Sequence, residues 1–255
     1  MAERFRSLAV PARAFRAALA AAALVASVPG ALGQEPPKKD DAPGHPFKLT
    51  LGWYRIADDS NGVDVNLRHT SDLGNVWLGY FREPDQDASQ WRAGWDQSFG
   101  SSVRIQPSLQ LASGGFAGGS VGVETGEPWF VGAGLGRTNL RPYYNLNFDP
   151  NDSWQLAAGR RSEVGQLFMV QIIRDNRENP DQRHIHFVWR QPLDGGQRLG
   201  VDALWKKGLV EEEMIQRWGI TVTYDWPRFF LRLAFDPKTN FTPVDTWRLS
   251  TGTRF

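Results

Sequence analysis

The chain ends in DTWRLSTGTRF, residues 245–255, and these residues alternate between two kinds of side chain. One set is Trp247, Leu249, Thr251, Thr253 and Phe255, and the other is Arg248, Ser250, Gly252 and Arg254. Successive side chains of a β-strand point to opposite sides. The segment is therefore predicted to be a strand with one largely apolar face and one polar face.

The same alternation extends over most of the chain upstream of this segment. In residues 217–225 the apolar set is Trp218, Ile220, Val222 and Tyr224, and in residues 228–236 it is Phe229, Leu231, Leu233 and Phe235. Clusters of Gly, Asn, Asp and Pro separate such runs, and no segment keeps a helical period for ten or more residues. The sequence thus predicts an all-β protein.

Two all-β architectures fit this pattern. A soluble sandwich would turn the apolar faces inward, whereas a membrane barrel would turn them to lipid. Arg, Asp and Gly occur in mid-strand on the polar faces, which suits a water-filled lumen. Aromatic residues also crowd the strand ends, as at a membrane–water interface. These residues are Trp53, Trp77, Phe81, Trp91, Trp95, Trp129, Trp189, Trp205 and Trp226. Both features favour the barrel.

The C-terminal segment resembles the last strand of Gram-negative outer-membrane β-barrels, which ends in an aromatic residue. In those proteins this residue is part of a signal that the barrel-assembly machinery reads, and Trp247, Leu249, Gly252 and Phe255 match it here. The resemblance implies an antiparallel transmembrane β-barrel in the outer membrane, with the N- and C-termini in the periplasm. It also implies contacts with outer-membrane lipid and lipopolysaccharide, and with the assembly machinery and periplasmic chaperones during biogenesis.

The first 33 residues have the pattern of a cleaved secretory signal peptide. Four arginines precede an apolar stretch from Ala17 to Val28, and Ala31-Leu32-Gly33 supplies small residues at the cleavage site. Removal of residues 1–33 would change the net charge from +1 to −2, because the segment holds four arginines and one glutamate. We expect residues 34–45 to be a flexible polar leader in the periplasm and residues 46–255 to form the barrel.

The length of the chain limits the number of strands. About 210 residues are available for strands of roughly 10 residues each, and single-chain bacterial barrels have even strand numbers. The visible turns are short, for example Asp194-Gly195-Gly196, so we expect fourteen strands, with twelve as the alternative. The Gly-rich run from Ser113 to Glu124 is the weakest candidate strand. Connections this short leave no room for a folded plug.

Composition and motifs exclude several classes of function. The chain has no cysteine, which rules out thiolate metal sites, cysteine nucleophiles and disulfides. Its net charge of +1 does not favour nucleic-acid binding, and no run of 18 apolar residues predicts a membrane-spanning helix. No phosphate-loop, EF-hand or zinc signature appears, so we expect no cofactor.

A His-x-Ser pair, His69 and Ser71, resembles that of outer-membrane phospholipase A and lipid A deacylase, in which an acidic or amide residue on a neighbouring strand orients the histidine. Alternation places both residues on one strand face, as a general base and a nucleophile require. The acidic candidate is Glu83, but a hairpin turn at residues 72–75 would leave it about 23 Å from Ser71. We therefore expect no enzyme, and keep a lipid hydrolase using His69 and Ser71 as an alternative.

His184 and His186 place two imidazoles on one strand face. They would form a metal site if Asp175, Asp181 or Asp202 converged on them. Two histidines are only half of such a site, and a polar face near a loop explains them as well. We expect no metal here.

The polar faces carry the main functional signal. Turning the more apolar face of each strand to lipid directs eleven cations and five carboxylates into the lumen. The cations are Arg68, Arg92, Arg104, Arg190, Arg198, Lys206, Arg217, Arg228, Arg232, Arg248 and Arg254, and the carboxylates are Asp64, Asp96, Asp202, Asp225 and Asp236. Guanidinium groups suit carboxylate, sulfate and phosphate, so the sequence predicts a narrow channel for small anionic solutes.

Seven arginines of the second half of the chain are the expected anion contacts. They are Arg190, Arg198, Arg217, Arg228, Arg232, Arg248 and Arg254. They fall on five successive candidate strands, which are about 4.8 Å apart in a sheet, so they are predicted to line one wall of the lumen. If Arg–Asp pairs simply filled the lumen, the protein would instead be a structural or assembly barrel with a plugged lumen.

The signal segment, the alternating strands and the terminal phenylalanine together predict recovery in the outer-membrane fraction. Expressed with residues 1–33 attached, the protein should fractionate with outer membranes and migrate faster on unboiled than on boiled SDS gels. Removal of Phe255 should lower the yield of assembled barrel far more than the stability of barrel already formed. Recovery of the wild-type chain as soluble periplasmic protein would contradict the prediction.

Overall fold

The computed structural model describes residues 45–56 and 60–255. Within them the chain forms fourteen antiparallel strands that close into one barrel, which confirms the expected fold class and strand number. The strands are β1 (Phe47–Ile56), β2 (Ser60–Ser71), β3 (Gly74–Glu83), β4 (Ala88–Asp96), β5 (Val103–Ala112), β6 (Phe116–Thr125), β7 (Trp129–Thr138), β8 (Ser153–Arg161), β9 (Leu167–Asp175), β10 (Arg183–Pro192), β11 (Arg198–Val210), β12 (Glu213–Asp225), β13 (Phe229–Asp236) and β14 (Thr246–Arg254). The predicted signal peptide, residues 1–33, and the predicted leader, residues 34–45 apart from His45, lie outside the described residues.

The barrel closes between its first and last strands. Each strand pairs with its neighbours in sequence, and β1 also pairs with β14 from Lys48↔Arg254 to Ile56↔Thr246. Beyond the last pair, the backbone N–H of Phe47 donates to Phe255 O at 2.9 Å and the N–H of Phe255 donates to Phe47 O at 3.0 Å. The C-terminal segment that predicted a strand is therefore the seam of the barrel.

The Gly-rich segment that was the weakest candidate is a regular strand, β6. It pairs with β5 along its whole length, from Val103↔Thr125 to Ala112↔Phe116. Glycine has no side chain to pack on a sheet face, but the two neighbouring strands supply a full set of backbone hydrogen-bond partners. Backbone pairing therefore compensates for the missing side chains.

The two faces of the barrel differ in polarity as the alternation predicts. The outer face exposes rows of large apolar side chains, for example Val63, Val65 and Leu67 on β2 and Leu231 and Leu233 on β13. The inner face carries polar side chains. Asn66 is half-buried, and the buried ones include Gln106, Gln110, Gln155, Gln171 and Ser250. This inside-out arrangement, with apolar groups outside and polar groups inside, is that of a membrane barrel.

Two aromatic residues expected at the membrane–water interface are instead in the lumen. Trp77 and Phe81 are 8% and 0% exposed, and they share the inward face of β3 with Gly79. The outward positions of this strand, Val76 and Leu78, are apolar as well. When both faces of a strand carry apolar residues, the sequence does not indicate which face points to the lumen. The predicted interface position of Trp77 and Phe81 was wrong for this reason.

The inward aromatic rings Trp77 and Phe81 pack closely against glycines of neighbouring strands. Gly94 is the register partner of Trp77, and a Cβ added at Gly94 would lie 2.5 Å from the indole ring. A Cβ added at Gly62 would likewise lie 2.7 Å from the ring of Phe81. The absence of a side chain at these glycines therefore lets bulky rings lie against the wall of the lumen.

Connections are short, with one exception. Three single 3₁₀ turns lie at Pro84–Gln86, Asp194–Gly196 and Thr239–Phe241. No helix of the described residues is both long and apolar enough to cross a membrane. The exception is the β7–β8 connection, residues 139–152, which we call the inward loop because it buries Tyr143, Leu146 and Phe148. The expectation that the connections are short was wrong for this loop, which is longer than a simple turn and packs inside the barrel.

The close contact between Trp77 and Gly94 predicts a position-specific loss of stability. Gly94→Ala should destabilise the barrel by about 1–3 kcal/mol, because the added methyl group forces the indole ring away from the wall. Guanidinium unfolding of the refolded protein in detergent, followed by tryptophan fluorescence, measures the change. Gly200→Ala is the matched control, since the nearest atom to its added Cβ is 3.8 Å away. Equal effects of the two substitutions would contradict this account.

Candidate functional site: the lumen

The lumen contains a cavity of about 630 Å³. Strands from most of the barrel line it, and the inward loop contributes Tyr143, Leu146, Asn147, Phe148 and Asp149. The cavity also reaches His45 and Lys48, near the end of the barrel that holds both chain termini. It is therefore bounded by the polar inner faces of the strands and by the loop that enters between them.

Aromatic contacts hold the first half of the inward loop against β6 and β3. The ring of Tyr143 stacks on Phe116 with a centroid distance of 4.2 Å. Tyr144 lies 4.9 Å from the ring of Phe81. Burial is favourable for the ring of Tyr143 but not for its phenolate, so burial raises the pKa of Tyr143 and keeps the hydroxyl protonated.

Hydrogen bonds fix the loop backbone to strands on both sides of the lumen. The Gln90 side chain on β4 donates to Pro142 O at 3.0 Å and accepts from the Tyr144 N–H at 2.8 Å. Arg248 on β14 donates to Leu146 O at 2.7 Å. Leu146 and Phe148 also pack in one buried cluster with residues of β1 and β3. The loop thus crosses the lumen rather than lying along one wall.

The far end of the inward loop is held by a histidine–aspartate network. Asp149 Oδ1 lies 2.7 Å from His184 Nδ1 and 3.0 Å from His186 Nε2. The other nitrogen of His186, Nδ1, lies 3.0 Å from both carboxylate oxygens of Asp202. A ring can donate from both nitrogens only as an imidazolium, so these contacts favour a charged His186 between two carboxylates.

Asp149 remains ionised in this network. Burial by itself would raise its pKa. The positive charge of His186 and the hydrogen bonds from His184 and His186 outweigh that effect, so the pKa of Asp149 lies well below its usual range. A carboxylate whose pKa is lowered on folding contributes stability above its unfolded pKa of about 3.9, and that stability is lost only as the pH falls through the lower folded value.

Cations cluster toward the end of the lumen that holds the termini. Asp225 bridges two arginines there, with Arg198 at 3.4 Å and Arg254 at 2.8 Å. Lys48 is the register partner of Arg254 on one side and of Arg68 on the other. Arg254, Lys48 and Arg68 lie on the adjacent strands β14, β1 and β2, and Arg198 on β11 is joined to them through Asp225 on β12, so the four cations form an arc at this end of the lumen.

A second group of charges lies deeper in the lumen. Arg92 and Asp64 form a buried ion pair, while Arg232 makes its hydrogen bond to a hydroxyl, Thr223 Oγ1, at 3.2 Å. The guanidinium of Arg248 donates to Leu146 O in the inward loop and lies 5.4 Å from the ring centroid of Phe148. Positive charge thus extends from the barrel end to the loop.

The cavity wall carries more cations than carboxylates. The cations are Lys48, Arg68, Arg92, Arg190, Arg198, Arg232, Arg248 and Arg254, and the carboxylates are Asp64, Asp149, Asp202, Asp225 and Asp236. Among the described residues that line the cavity, eight cations against five carboxylates leave an excess of three positive charges, before any charge on histidine. The wall opposite the cationic arc is neutral, with Gln110 and Gln171 facing the cavity.

Five of the seven arginines expected to line the lumen wall do so: Arg190, Arg198, Arg232, Arg248 and Arg254. Arg217 and Arg228 do not. Arg217 is exposed where β12 extends past its last pair with β13, Ile220↔Phe235, and Arg228 is exposed in the β12–β13 turn. Alternation assigns a side of the strand, but it cannot show where the barrel wall ends.

Sequence reasoning missed the contributions of Lys48 and Asp149. Lys48 lies one residue inside the start of β1 and has the inward parity, so the alternation could have identified it. Asp149 lies in the inward loop, where no periodicity exists. Of the three carboxylates considered as partners of His184 and His186, two bond elsewhere. Asp175 accepts hydrogen bonds from N–H groups of its own turn, and Asp181 accepts one from the Leu209 N–H.

The contacts of His69 and Ser71 do not resemble a catalytic pair. The ring of His69 packs on Phe47 at 4.7 Å on the outer face, and Ser71 Oγ donates to Gly74 O at 3.3 Å. Ser71 pairs with Gly74 rather than with residue 76, so Glu83 lies roughly 30 Å along β3. Glu83 instead accepts a hydrogen bond from Ser60 Oγ at 2.5 Å.

The barrel is similar in fold to solved outer-membrane proteins. The structure of the Acinetobacter baumannii outer membrane protein Omp33 matches with a TM-score of 0.53 and 11% sequence identity, over 83% of this chain and 98% of that chain. The KdgM porin matches with a TM-score of 0.43 and 10% identity, over 82% and 99% of the two chains. The NanC porin matches with a TM-score of 0.43 and 6% identity, over 82% and 100%. The first match shows a shared fold.

Sequence comparisons add no family. No family model matches the chain, and no curated protein matches it in sequence.

If the contacts of Asp149 hold the inward loop in the lumen, their removal should increase the population of undocked loop. Asp149→Asn removes a charge-assisted contact of about 1.5–3 kcal/mol, which corresponds to a roughly 10- to 100-fold larger population of undocked loop. Limited chymotrypsin digestion measures this population, because the cleavable Tyr143 and Phe148 are 5% and 8% exposed when the loop is docked. Asn147→Ala, at an exposed loop position, should leave the rate unchanged. Equal cleavage of both variants would contradict the role of Asp149.

Proposed function

We propose that the protein is an outer-membrane channel for small anionic solutes, and that the inward loop narrows its lumen. The observation that carries this proposal is the excess of three positive charges on the wall of the 630 Å³ cavity. The proposal assigns no catalytic role to any residue.

Location in the outer membrane is supported by the surface of the barrel. Apolar side chains cover the outer face of every region of the sheet, from Leu51 on β1 to Leu249 on β14. A closed barrel satisfies all backbone hydrogen bonds internally, as the lipid core requires. We propose outer-membrane lipid and lipopolysaccharide as the surroundings of this face, and the assembly machinery and periplasmic chaperones as partners that read the C-terminal strand.

The lengths of the connections support periplasmic termini. The end that holds Phe47 and Phe255 has turns of two to six residues between the strands. The three longest described connections, residues 139–152, 176–182 and 237–245, are at the other end. Outer-membrane barrels have short periplasmic turns and longer extracellular loops, so the inward loop would enter from the extracellular side.

The position of the cations supports anion selectivity. The arc formed by Arg198, Arg254, Lys48 and Arg68 lies at the terminal end, and Arg232 lies deeper along the same wall. Each cation attracts an anion weakly when water is present, and a row of such sites raises the local anion concentration without trapping the ion. The neutral glutamine wall opposite does not counter this attraction.

The inward loop limits the size of the solute. Its contacts with Gln90 on β4 and Arg248 on β14 place it across the lumen. A solute must therefore pass between the loop and the barrel wall, which favours small ions over oligomers. A lumen sealed by the loop would make the protein a structural or assembly barrel.

Bilayer recordings test the selectivity. In a KCl gradient, the reversal potential of the wild-type pore should indicate a preference for chloride, and the preference should weaken at about 1 M salt, where screening shortens to about 3 Å. Lys48→Gln with Arg232→Gln should shift the reversal potential toward cation permeation. Within the described part of the chain neither residue forms a salt bridge, so the change leaves no carboxylate without a partner.

Arg217→Gln with Arg228→Gln is the matched control, because it removes the same charge from outside the cavity wall. It should leave the reversal potential unchanged. A barrel that inserts but conducts no ions would favour the plugged alternative, and equal shifts by the two pairs would refute the role of the cavity wall.

A further inference from the structure

Three potential metal ligands converge where the inward loop contacts β10. His184 and His186 project from one face of β10, and Asp149 reaches them from the loop. Asp149 Oδ1 lies 2.7 Å from His184 Nδ1 and 3.0 Å from His186 Nε2, and the ligand atoms of all three residues lie within 4.8 Å of one another. We propose that Asp149, His184 and His186 form a binding site for Zn²⁺ or a similar divalent transition-metal ion.

The chemistry of the three ligands fits zinc. Two imidazole nitrogens and one carboxylate oxygen are a ligand set found in zinc sites that keep a fourth position for water. With bonds of about 2.0–2.1 Å to the ion, tetrahedral ligand atoms lie roughly 3.3 Å apart. The Asp149–histidine atoms at 2.7 Å and 3.0 Å therefore need to separate by a few tenths of an ångström, and the two histidine nitrogens, which lie within 4.8 Å of each other, need to approach by at most about 1.5 Å. The absence of a larger oxygen cage disfavours Ca²⁺ and Mg²⁺.

Neighbouring side chains hold both histidine rings in place, as the residues around a metal site hold its ligands. Asp202 lies 3.0 Å from Nδ1 of His186, so it accepts the proton of that nitrogen and leaves Nε2 for the ion. The ring of His184 stacks on Phe241 with a centroid distance of 5.4 Å and is 1% exposed. The second nitrogen of His184 has no hydrogen-bond partner among the described residues, so its one polar contact is with Asp149.

The local charge balance also favours a dication. Asp149 and Asp202 together carry two negative charges, while the nearby Lys206 is neutralised by Asp236 at 2.7 Å. With both histidines neutral, a divalent ion would balance the two carboxylates. Without it, a protonated His186 balances only one of them.

Zinc bound here would join the inward loop to the barrel wall. The loop contributes Asp149 and β10 contributes both histidines, so the complete three-ligand site would exist only when the loop is docked. An ion that binds only the docked loop suppresses opening by a factor of 1 + [Zn²⁺]/Kd. At ten times the Kd, opening should therefore fall about tenfold.

Isothermal titration calorimetry tests the site on tag-free, EDTA-washed protein refolded in detergent. ZnCl₂ should bind with one ion per chain, and His184→Ala with His186→Ala should abolish this binding. Asp202→Asn should weaken it by about 10- to 100-fold, as loss of a carboxylate behind a ligating histidine does. His45→Ala with His69→Ala is the matched control, because it removes two histidines, one at the cavity and one on the outer face, and it should bind zinc like the wild type.

Chymotrypsin digestion provides a second readout on the wild-type chain. Zinc at ten times its Kd should slow cleavage of the inward loop about tenfold. A folded wild-type chain that binds no zinc, or a double variant at His184 and His186 that binds it as tightly, would overturn the proposal. Neither measurement depends on conductance, so a barrel that binds zinc but conducts no ions would refute the channel and leave the zinc site standing.

Discussion

The backbone pairing of β1 with β14 is the constraint on which the rest of the molecule depends. An open sheet would leave two rows of N–H and C=O groups without partners, which lipid cannot supply. The reciprocal hydrogen bonds between Phe47 and Phe255 complete the seam at one end of it. Once the sheet is closed, each strand has one face toward the lumen and one toward the outside. Because successive side chains point to opposite faces, alternate residues of every strand then line the lumen or the outer surface.

The lumen is filled unevenly as a consequence of that division. Strands β1 and β3 carry large rings inward, Tyr54 and Phe81 among them, and glycines on neighbouring strands, such as Gly62 next to Phe81, give the rings room against the wall. The inward loop then packs Leu146 and Phe148 onto this small apolar surface. The loop can therefore dock inside a mostly polar lumen without leaving its own apolar side chains in water.

The docked loop connects two sets of charges that belong to different parts of the barrel. Arg248 on β14 holds the Leu146 carbonyl, and the histidines of β10 hold Asp149. Between these anchors the cavity keeps an excess of positive charge on one wall and neutral glutamines on the other. The same segment thus sets the width of the proposed channel, supplies an acidic group to it, and provides the third ligand of the proposed zinc site.

The amino-acid sequence by itself determined the strand architecture, limited the number of strands to fourteen or twelve, and set the face of most side chains. Alternation is a local property of extended backbone, so Trp247 and Arg248 could be assigned to opposite faces from their positions alone. The same reasoning placed Arg232, Arg248 and Arg254 on the lumen side, and the structure agrees. It failed at Trp77 and Phe81, because both faces of β3 are apolar.

Only the tertiary structure decided which inward side chains meet. Arg248 and Leu146 are 102 residues apart, and His184 and Asp149 are 35 residues apart. The inward loop has no periodic pattern, so nothing local distinguishes a segment that folds into the lumen from one that extends into solvent. The loop adopts its position because a closed barrel offers it aromatic rings, an arginine and two histidines at once, and those groups become neighbours only when the sheet has closed.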